Sequence, residues 1–406
     1  MRTCVFGSVA LMLLSAAVFA QGVLSEEDAL ARLASDNPRT RAVRAPIAVA
    51  EAEARLAQRW PNPRVSVQRE AVSGVTEVLS TVQQSLPITG RRRLEYAELS
   101  ELTSAVTARA GEAMRAARAD VRRAYAALAL TQARDRALRD ARARLQALAD
   151  HLAVREAAGD TAAYDRLRVE REIIDLDADR RSVAADRTRA AGELASLLLG
   201  TLDPSTLVVA DLPTSGPPLP DVAALVAHAD RTRGDLLALE HERASAALAA
   251  RVADRRRIPE PELIAGTKSA SPSVGGSLGS VIAVQATVSL FDKGRADRAL
   301  ADARGRSAVL HADALRQEMR ADIVSLHATV LARRDAAASY RAVATKSTDE
   351  VERIARVSYD AGERGIFDLV DAHRTAGTAR LRQLALDAAV RFAEIDLEFV
   401  TGWELK

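Results

Sequence analysis

Apolar residues recur at spacings of three and four over two very long stretches of the chain. The first, 91–156, contains no proline and predicts a helix about 100 Å long at a rise of 1.5 Å per residue. The second covers 294–359. A turn and a further helical stretch follow each of them, at 162–199 and at 366–398. The pattern therefore predicts two long helical hairpins.

Period-two alternation replaces the helical pattern ahead of each hairpin. In the second half, Ile282 and Val284 alternate with Ala283 and Gln285. This segment is about ten residues long and has one apolar and one small polar face, like a transmembrane β-strand. A half-buried strand in a soluble sheet is the alternative. Four predicted strands are too few to bury their apolar faces on so large a helical body, which favours the transmembrane interpretation.

The order of helix, strands and long hairpin occurs twice, displaced by about 200 residues. Pro61 corresponds to Pro259, and Gly159 corresponds to Gly362. The leading helices are predicted at 23–58, with a break near Pro38, and at 222–257 without a break. The predicted parts are a first repeat at 21–200 (strands at about 63–88, long helices at about 91–199), a connector at 201–220, and a second repeat at 221–406 (strands at about 261–291, long helices at about 294–402).

The N-terminus has the three parts of a secretory signal peptide. Arg2 precedes the apolar run 5–19, and small residues lead to Ala20, so we expect a signal peptide at 1–20. A membrane anchor is disfavoured because about 15 apolar residues are too few to span a bilayer as a helix. Cys4 is the only cysteine. The mature chain is therefore expected to carry no disulfide and no lipid-bearing cysteine.

Composition excludes several classes of function. The chain has 57 Lys and Arg against 55 Asp and Glu, a net charge of +2, which gives no bulk attraction to nucleic acid. Aromatic residues make up only 3%, which favours alanine-rich helices packed side by side over a globular catalytic domain. No acid, base and nucleophile assemble into a catalytic motif, so no enzyme activity, cofactor or metal site is predicted. The histidines are scattered and are expected to be solvated helix residues: His151, His228, His241, His311, His327 and His373.

Two motifs carry a family resemblance. Residues 84–90 read QSLPITG at the predicted junction of strand and long helix, and residues 359–372 read YDAGERGIFDLVDA at the turn of the second hairpin. With the repeated order of elements, they make the mature chain resemble the outer-membrane efflux protein (TolC-like) family. The spacing and compact loops are similar to the heavy-metal branch of that family.

The resemblance implies a mainly α fold with a small β part. Three chains would each give four strands to a shared 12-stranded transmembrane β-barrel, and their long antiparallel helical hairpins to an α-barrel in the periplasm. This agrees with a physical constraint, because a four-stranded sheet has two unpaired edges that lipid does not tolerate. The implied function is a passive conduit in the outer membrane of a Gram-negative cell, exporting small molecules or metal ions.

Acidic residues at the second hairpin turn are the main candidates for function. Asp368 and Asp371 lie three apart, hence on one helix face, and threefold symmetry would repeat each as a ring. The resemblance implies that they line the narrow periplasmic entrance. The alternative is that both acids stabilise the positive N-terminal end of a helix.

Further candidates come from the positions that match the family's closing contacts. Tyr359 and Arg364 occupy those positions, and Asp165, beside Tyr164, is the candidate partner of Arg364 at the first turn. Glu363 departs from the small or polar residue of the family pattern. The hairpin tips are expected to dock a periplasmic adaptor through Gly159, Asp160, Gly362, Glu363 and Gly365.

The expected partners are two further copies in a homotrimer, a periplasmic adaptor, an inner-membrane pump and outer-membrane lipid. Two alternatives stay open. The same conduit could serve type I protein secretion, or the chain could be a periplasmic coiled-coil scaffold without a pore.

Overall fold

The computed structural model describes residues 23–33, 37–159, 162–198, 202–213, 216–271 and 275–404, except for the side chain of Thr345. The predicted signal peptide at 1–20 lies outside these residues. The first half contains α1 (Glu26–Ala31), α2 (Pro38–Ala57), β1 (Arg64–Val72), β2 (Val75–Ser85), α3 (Arg91–Ala157) and α4 (Ala163–Leu198). The second half contains α5 (Val222–Thr232), α6 (Gly234–Arg255), β3 (Pro261–Ser271), β4 (Ser277–Ala286), α7 (Arg295–Asp360) and α8 (Ile366–Thr401).

The predicted fold class is confirmed. The described chain is mostly helical, with four antiparallel strands, and the same order of elements occurs in both halves. Helix α3 has 67 residues and α7 has 66, so each is about 100 Å long. Both begin after a left-handed glycine, Gly90 at φ 73° and Gly294 at φ 72°. A Cβ at Gly294 would also lie 2.4 Å from the carbonyl oxygen of Ala253. Glycine is therefore required there both by the positive φ and by the close approach of α6.

Two sequence predictions were wrong in detail. The single helix predicted at 222–257 is two helices, because Arg233 adopts an extended conformation (φ −66°, ψ 117°) between α5 and α6. Gly234 packs so closely on α3 that a Cβ would lie 2.3 Å from the carbonyl oxygen of Ala108. The fourth strand ends at Ala286 and not near residue 291. Beyond it, the Ser289 hydroxyl donates to the carbonyl of Arg256 at 3.1 Å and so turns the chain toward α6.

The four strands form one sheet in the order β1-β2-β3-β4. The register pairs Val65 with Val82, Val82 with Ala265, and Ala265 with Ile282, so these side chains share one face, the apolar face. The polar face carries Arg64, Ser66, Gln68, Glu70, Glu77, Thr81, Gln83, Glu262, Lys268 and Gln285. On β3, residues 262, 264 and 266 of the polar face are half-buried, whereas Leu263, Ala265 and Thr267 of the apolar face are exposed. In this part of β3 the polar face is therefore the more covered one.

Charged and amide groups bridge the strands on the polar face. Lys268 Nζ lies 2.7 Å from Glu77 Oε2 across β2 and β3, and the Gln83 amide donates to Glu262. Among the described residues none covers the apolar face at β4, where Ile282 is 79% and Val284 is 71% exposed. This arrangement is the reverse of a water-soluble sheet, in which the apolar face is buried.

The helices bury a thin core that follows their length. One cluster joins α1, α3, α4 and the connector around Leu128 and Leu194, and another joins α5, α7 and α8 around Ile323. Tyr125 fixes the connector to this body, because its hydroxyl donates to the carbonyl of Leu24 at 3.0 Å and accepts from the amide of Ala210 at 3.0 Å. No helix of the described residues is both long enough and apolar enough to cross a membrane.

A network of charges is buried between the helices at mid-length. It contains three arginines and three glutamates: Arg122, Arg334, Arg391, Glu26, Glu394 and Glu398. Arg391 lies 2.6 Å from Glu26 Oε1, and Arg334 lies 2.6 Å from Glu394 Oε1. Burial raises the pKa of Glu398, although Arg122 and Arg391 oppose that shift. Breaking one partner of such a network costs about 3–5 kcal/mol. The network therefore locks α1, α3, α7 and α8 together.

Glycine at position 266 is required by the pairing of β2 with β3. A Cβ there would lie 2.1 Å from the carbonyl oxygen of Ser80. We expect Gly266→Ala to lower the free energy of unfolding by about 1–3 kcal/mol, measured as a lower melting temperature by circular dichroism. The matched control is Gly279→Ala on the same face, where the Cβ would meet only Lys268 O, at 3.8 Å. Equal melting temperatures of the two variants would contradict this account.

Candidate functional site at the ends of the helical hairpins

Both helical hairpins turn at the end of the molecule that is far from the sheet. Gly159 (φ 83°) and Gly362 (φ 75°) provide the left-handed residue at each turn, and neither is crowded by other atoms. At the second turn, the amides of Glu363 and Arg364 both donate to the carbonyl of Ser358, at 2.9 and 3.2 Å. The backbone therefore defines this turn closely, although its side chains face solvent.

An apolar cluster lies directly under the two turns. It draws side chains from all four long helices: Leu145, Leu148, Ala149, Leu152, Val169, Ile173, Ala355, Tyr359, Ile366, Leu369, Val370 and Ala372. The cluster packs the end of the first hairpin against the end of the second. Movement of one hairpin relative to the other would expose it, which costs about 25 cal/mol per Å² of apolar surface.

One hydrogen bond joins the two hairpins within this cluster. Tyr359 on α7 is 8% exposed, and its hydroxyl donates to Oδ2 of Asp165 on α4 at 3.3 Å. Burial raises the pKa of Tyr359, and the negative charge of Asp165 raises it further. The phenol thus stays a donor at neutral pH. We call this contact the Tyr359–Asp165 latch.

The structure does not bring Arg364 and Asp165 together. No ion pair joins these two residues in the described part of the chain, and Arg364 is exposed beyond the turn that follows Tyr359. The latch places the tyrosine, and not the arginine, against Asp165. Tyr164, at 66% exposure, points away from the buried cluster. Within the described chain the Arg364–Asp165 pair does not form, because backbone hydrogen bonds at Ser358 leave Arg364 exposed beyond the turn.

Asp368 and Asp371 lie on the exposed side of α8, opposite the buried Leu369 and Val370. Asp368 belongs to the first turn of the helix, where a carboxylate favours the positive end of the helix dipole. Asp371 lies one turn further on and forms an ion pair with Arg374 at 2.8 Å. Both carboxylates are thus exposed to solvent, and Asp371 is paired with Arg374 of its own helix.

Two contacts at this end were missed by the sequence analysis. The guanidinium of Arg168 on α4 lies over the ring of Phe367 on α8, 5.4 Å from its centre, and forms a second link between the hairpins. His373 was expected to be solvated but is 6% exposed, and its Nδ1 lies 2.8 Å from Glu352 Oε1. Burial lowers the pKa of His373, so the ring is neutral at pH 7. Its place four residues after Leu369, on the apolar side of α8, is the signal that predicts burial.

The expected docking residues occupy the tips. Gly159, Gly362, Glu363 and Gly365 are exposed, and Asp160 lies outside the described residues. Among the described residues, no group of three or more His, Cys, Asp or Glu side chains is arranged to hold a metal ion.

Comparison with known proteins supports the fold. Residues 225–403 match the family model described as outer membrane efflux protein. A membrane protein from Pseudomonas aeruginosa superposes with a TM-score of 0.75 at 20% identity, over 93% of each chain. VceC, an outer membrane protein from Vibrio cholerae, gives 0.73 at 16% identity over 94% of this chain and 97% of its own. The open state of the MtrE outer membrane channel from Neisseria gonorrhoeae gives 0.73 at 17% identity, over 94% and 89%.

The fold of this chain is that of these membrane proteins. At this level of identity the likeness concerns the fold alone. No curated protein matches the chain in sequence.

The Tyr359–Asp165 latch is expected to contribute to the free energy that holds the two hairpin ends together. Tyr359→Phe removes only the hydroxyl, so we expect a loss of ~1 kcal/mol and amide exchange about fivefold faster near the second turn. The exchange rate is measured by hydrogen exchange and mass spectrometry on peptides from 355–372. Tyr164→Phe is the control, since the Tyr164 hydroxyl is exposed and should change nothing. Unchanged exchange in Tyr359→Phe would show that the latch contributes nothing.

Proposed function

We propose that three copies of this chain form a passive channel of the outer membrane, the outer component of a tripartite efflux system that exports small molecules or metal ions. The sheet carries the proposal. Its apolar face lacks cover at β4, much of β3 is more covered on the polar face, and both outer edges are unpaired in the described part of the chain. The family match at 225–403 and the shared fold support the same function.

Closure of the sheet requires other copies. Strand β1 pairs only with β2, and β4 only with β3, in the described part of the chain. With an even number of strands, β4 of one copy runs antiparallel to β1 of the next, so a head-to-tail ring closes without a break. Three chains give 12 strands, and a ring has no edge left for lipid. Strands of 9 to 11 residues fit the hydrocarbon thickness.

Exposed apolar residues on the long helices support contact between subunits. Those of α7 are Leu300, Val309, Leu310, Val324, Leu331, Val343, Val351, Ile354 and Val357. They extend over nearly the whole helix. On α4, Leu167 and Ile174 are exposed near the hairpin end. A single chain in water would leave these surfaces uncovered, whereas neighbouring hairpins in an α-barrel bury them.

The hairpin ends form the gate of this channel. In a threefold ring, Asp368 and Asp371 repeat as two circles of carboxylates that hold cations and oppose anions. The Tyr359–Asp165 latch keeps the second hairpin against the first, and its release lets α7 and α8 swing outward. Arg364, exposed at the turn, is free to reach a carboxylate of the neighbouring subunit.

The tips are where the channel meets the rest of the export system. A periplasmic adaptor contacts Gly159, Gly362, Glu363 and Gly365, together with Asp160, and links the channel to an inner-membrane pump. Many small identical contacts around a ring give strength by multiplicity. The pump supplies the driving force, so the conduit itself needs no cargo site.

Fractionation of cells that express the full chain tests the function. The channel predicts trimers in the outer-membrane fraction, extracted by detergent, that form conducting pores in planar bilayers. A monomer in the soluble periplasmic fraction would contradict the channel and favour the scaffold.

Ion selectivity tests the gate. Asp368→Asn combined with Asp371→Asn removes both carboxylate rings, so we expect the cation-to-anion permeability ratio to fall about twofold to tenfold in planar bilayers. The control is Asp313→Asn with Glu318→Gln, two exposed acids on α7 that lie far from the hairpin turn. An unchanged ratio in the first variant would reject these aspartates as the gate.

A further inference from the structure

Basic side chains are concentrated where the strands meet the helices. Four segments form these junctions, 55–64, 86–95, 254–262 and 288–298, which we call the junction belt. The belt contains twelve Lys and Arg against six Asp and Glu, a net charge of +6. Since the whole chain carries only +2, the rest of the chain is net negative. The positive charge is therefore local to this level of the molecule.

The four segments form one continuous surface at the helical end of the sheet. Thr89 donates to Glu260 at 2.7 Å and Arg91 lies 3.0 Å from the same carboxylate, which joins the first half to the second. Arg257 Nε donates to the carbonyl of Lys293 at 3.2 Å. The basic residues of both halves thus face a common environment.

Many of these charges have no internal partner. Among the described residues, no ion pair is formed by Arg59, Arg64, Arg92, Arg93, Arg255, Lys293 or Arg295. All except Arg92 are exposed. Elsewhere most buried or half-buried arginines pair with acids, as in the network around Glu398. Unpaired arginines crowded together repel one another, so an external anion at this level lowers the free energy of the protein.

Aromatic and aliphatic side chains lie among these charges. Phe291 is 99% exposed and Trp60 is 65% exposed, with Ile88 and Leu290 also largely exposed. The guanidinium of Arg92 lies 5.7 Å from the centre of the Trp60 ring. Exposed aromatic residues beside arginine and lysine, at the end of an apolar strand face, are the composition of a membrane interface.

We infer that the junction belt binds the headgroups of anionic phospholipids in the leaflet at the helical end of the sheet. Arginine and lysine donate to the phosphodiester oxygens, while Phe291 and Trp60 reach the acyl chains. Val288 and Leu290, both largely exposed, follow the end of β4, so exposed apolar residues continue from the sheet to the junction belt, which favours a bilayer over a protein partner. The inference rests on the proposed function, because it requires the sheet to lie in a membrane, and it adds the lipid class and the residues that select it.

Spin-labelled lipids measure directly whether the protein prefers anionic phospholipids. The full chain is reconstituted in phosphatidylcholine vesicles with a trace of spin-labelled phosphatidylglycerol or spin-labelled phosphatidylcholine. The motionally restricted fraction gives the relative association constant of each lipid. We expect phosphatidylglycerol to be preferred by about threefold to tenfold, and the preference to weaken in 1 M salt.

Two matched variants test whether the residues of the junction belt cause this lipid preference. The belt variant combines Arg59→Gln, Arg93→Gln, Lys293→Gln and Arg295→Gln. The control variant removes the same charge from the long helices through Arg181→Gln, Arg187→Gln, Arg320→Gln and Arg382→Gln, which form no ion pair in the described part of the chain. We expect the belt variant to insert and conduct but to bind the two lipids alike, and the control variant to keep the preference.

The outcomes separate the inference from the function. If the protein inserts and conducts but holds both lipids equally, or if the belt variant keeps the preference, the inference is overturned and the channel stands. Failure of the unmodified chain to insert and conduct would overturn both.

Discussion

Unpaired backbone at the two edges of the sheet is the constraint on which the rest of the structure depends. Each N–H or C=O group left without a partner in hydrocarbon costs several kcal/mol. Strands β1 and β4 each present such an edge, and the apolar face between them is bare. In water a single copy of this sheet leaves its apolar face exposed, and in lipid it would leave both edges without hydrogen-bond partners. Pairing β4 of one copy with β1 of the next removes both edges at once.

The helices follow from the same constraint. Each pair of strands continues, through the left-handed Gly90 or Gly294, into a helix of about 100 Å, so a ring of strands imposes a ring of helices. The buried charge network around Glu398 fixes these helices at mid-length, and the cluster around Tyr359 fixes their ends. The network is costly to break, whereas the latch is a single hydrogen bond from the Tyr359 phenol to the Asp165 carboxylate. In the proposed channel, opening therefore starts at the hairpin ends, where the latch and an apolar cluster join the two hairpins.

Periodicity predicted most of the fold because its elements are long and regular. Alternation over ten residues located β4, and the absence of proline located α3. The break at Arg233 escaped prediction because its cause is tertiary, the close approach of Gly234 to the backbone of α3. In the sequence, Glu398 looks like any acid on a helix surface. Its burial was not predictable because it depends on ion pairs with Arg122 on α3 and with Arg391 on α8, which form only in the folded protein.

The candidate site was predictable in part. The motif at 359–372 predicted the turn between α7 and α8, and Tyr359 contacts the first hairpin. The separation of Arg364 from Asp165 was not predictable, because the backbone path after Gly362 decides where Arg364 lies. The burial of His373 follows from its position four residues after Leu369, on the apolar side of α8. This spacing is visible in the sequence, but the polar character of histidine led to the prediction of a solvated residue.

A cysteine scan across the edge strands tests the central claim most directly. Gln68→Cys on β1 is combined, in a Cys4→Ser background, with a cysteine at each position of 277–286 on β4 in turn, and the membrane-bound protein is oxidised. Closed pairing between copies predicts cross-links only at alternate positions of β4, those that share the polar face with Gln68. It also predicts that the largest cross-linked species contains three chains. Cross-links without this alternation, or a ladder that does not stop at three, would contradict the closed trimeric barrel.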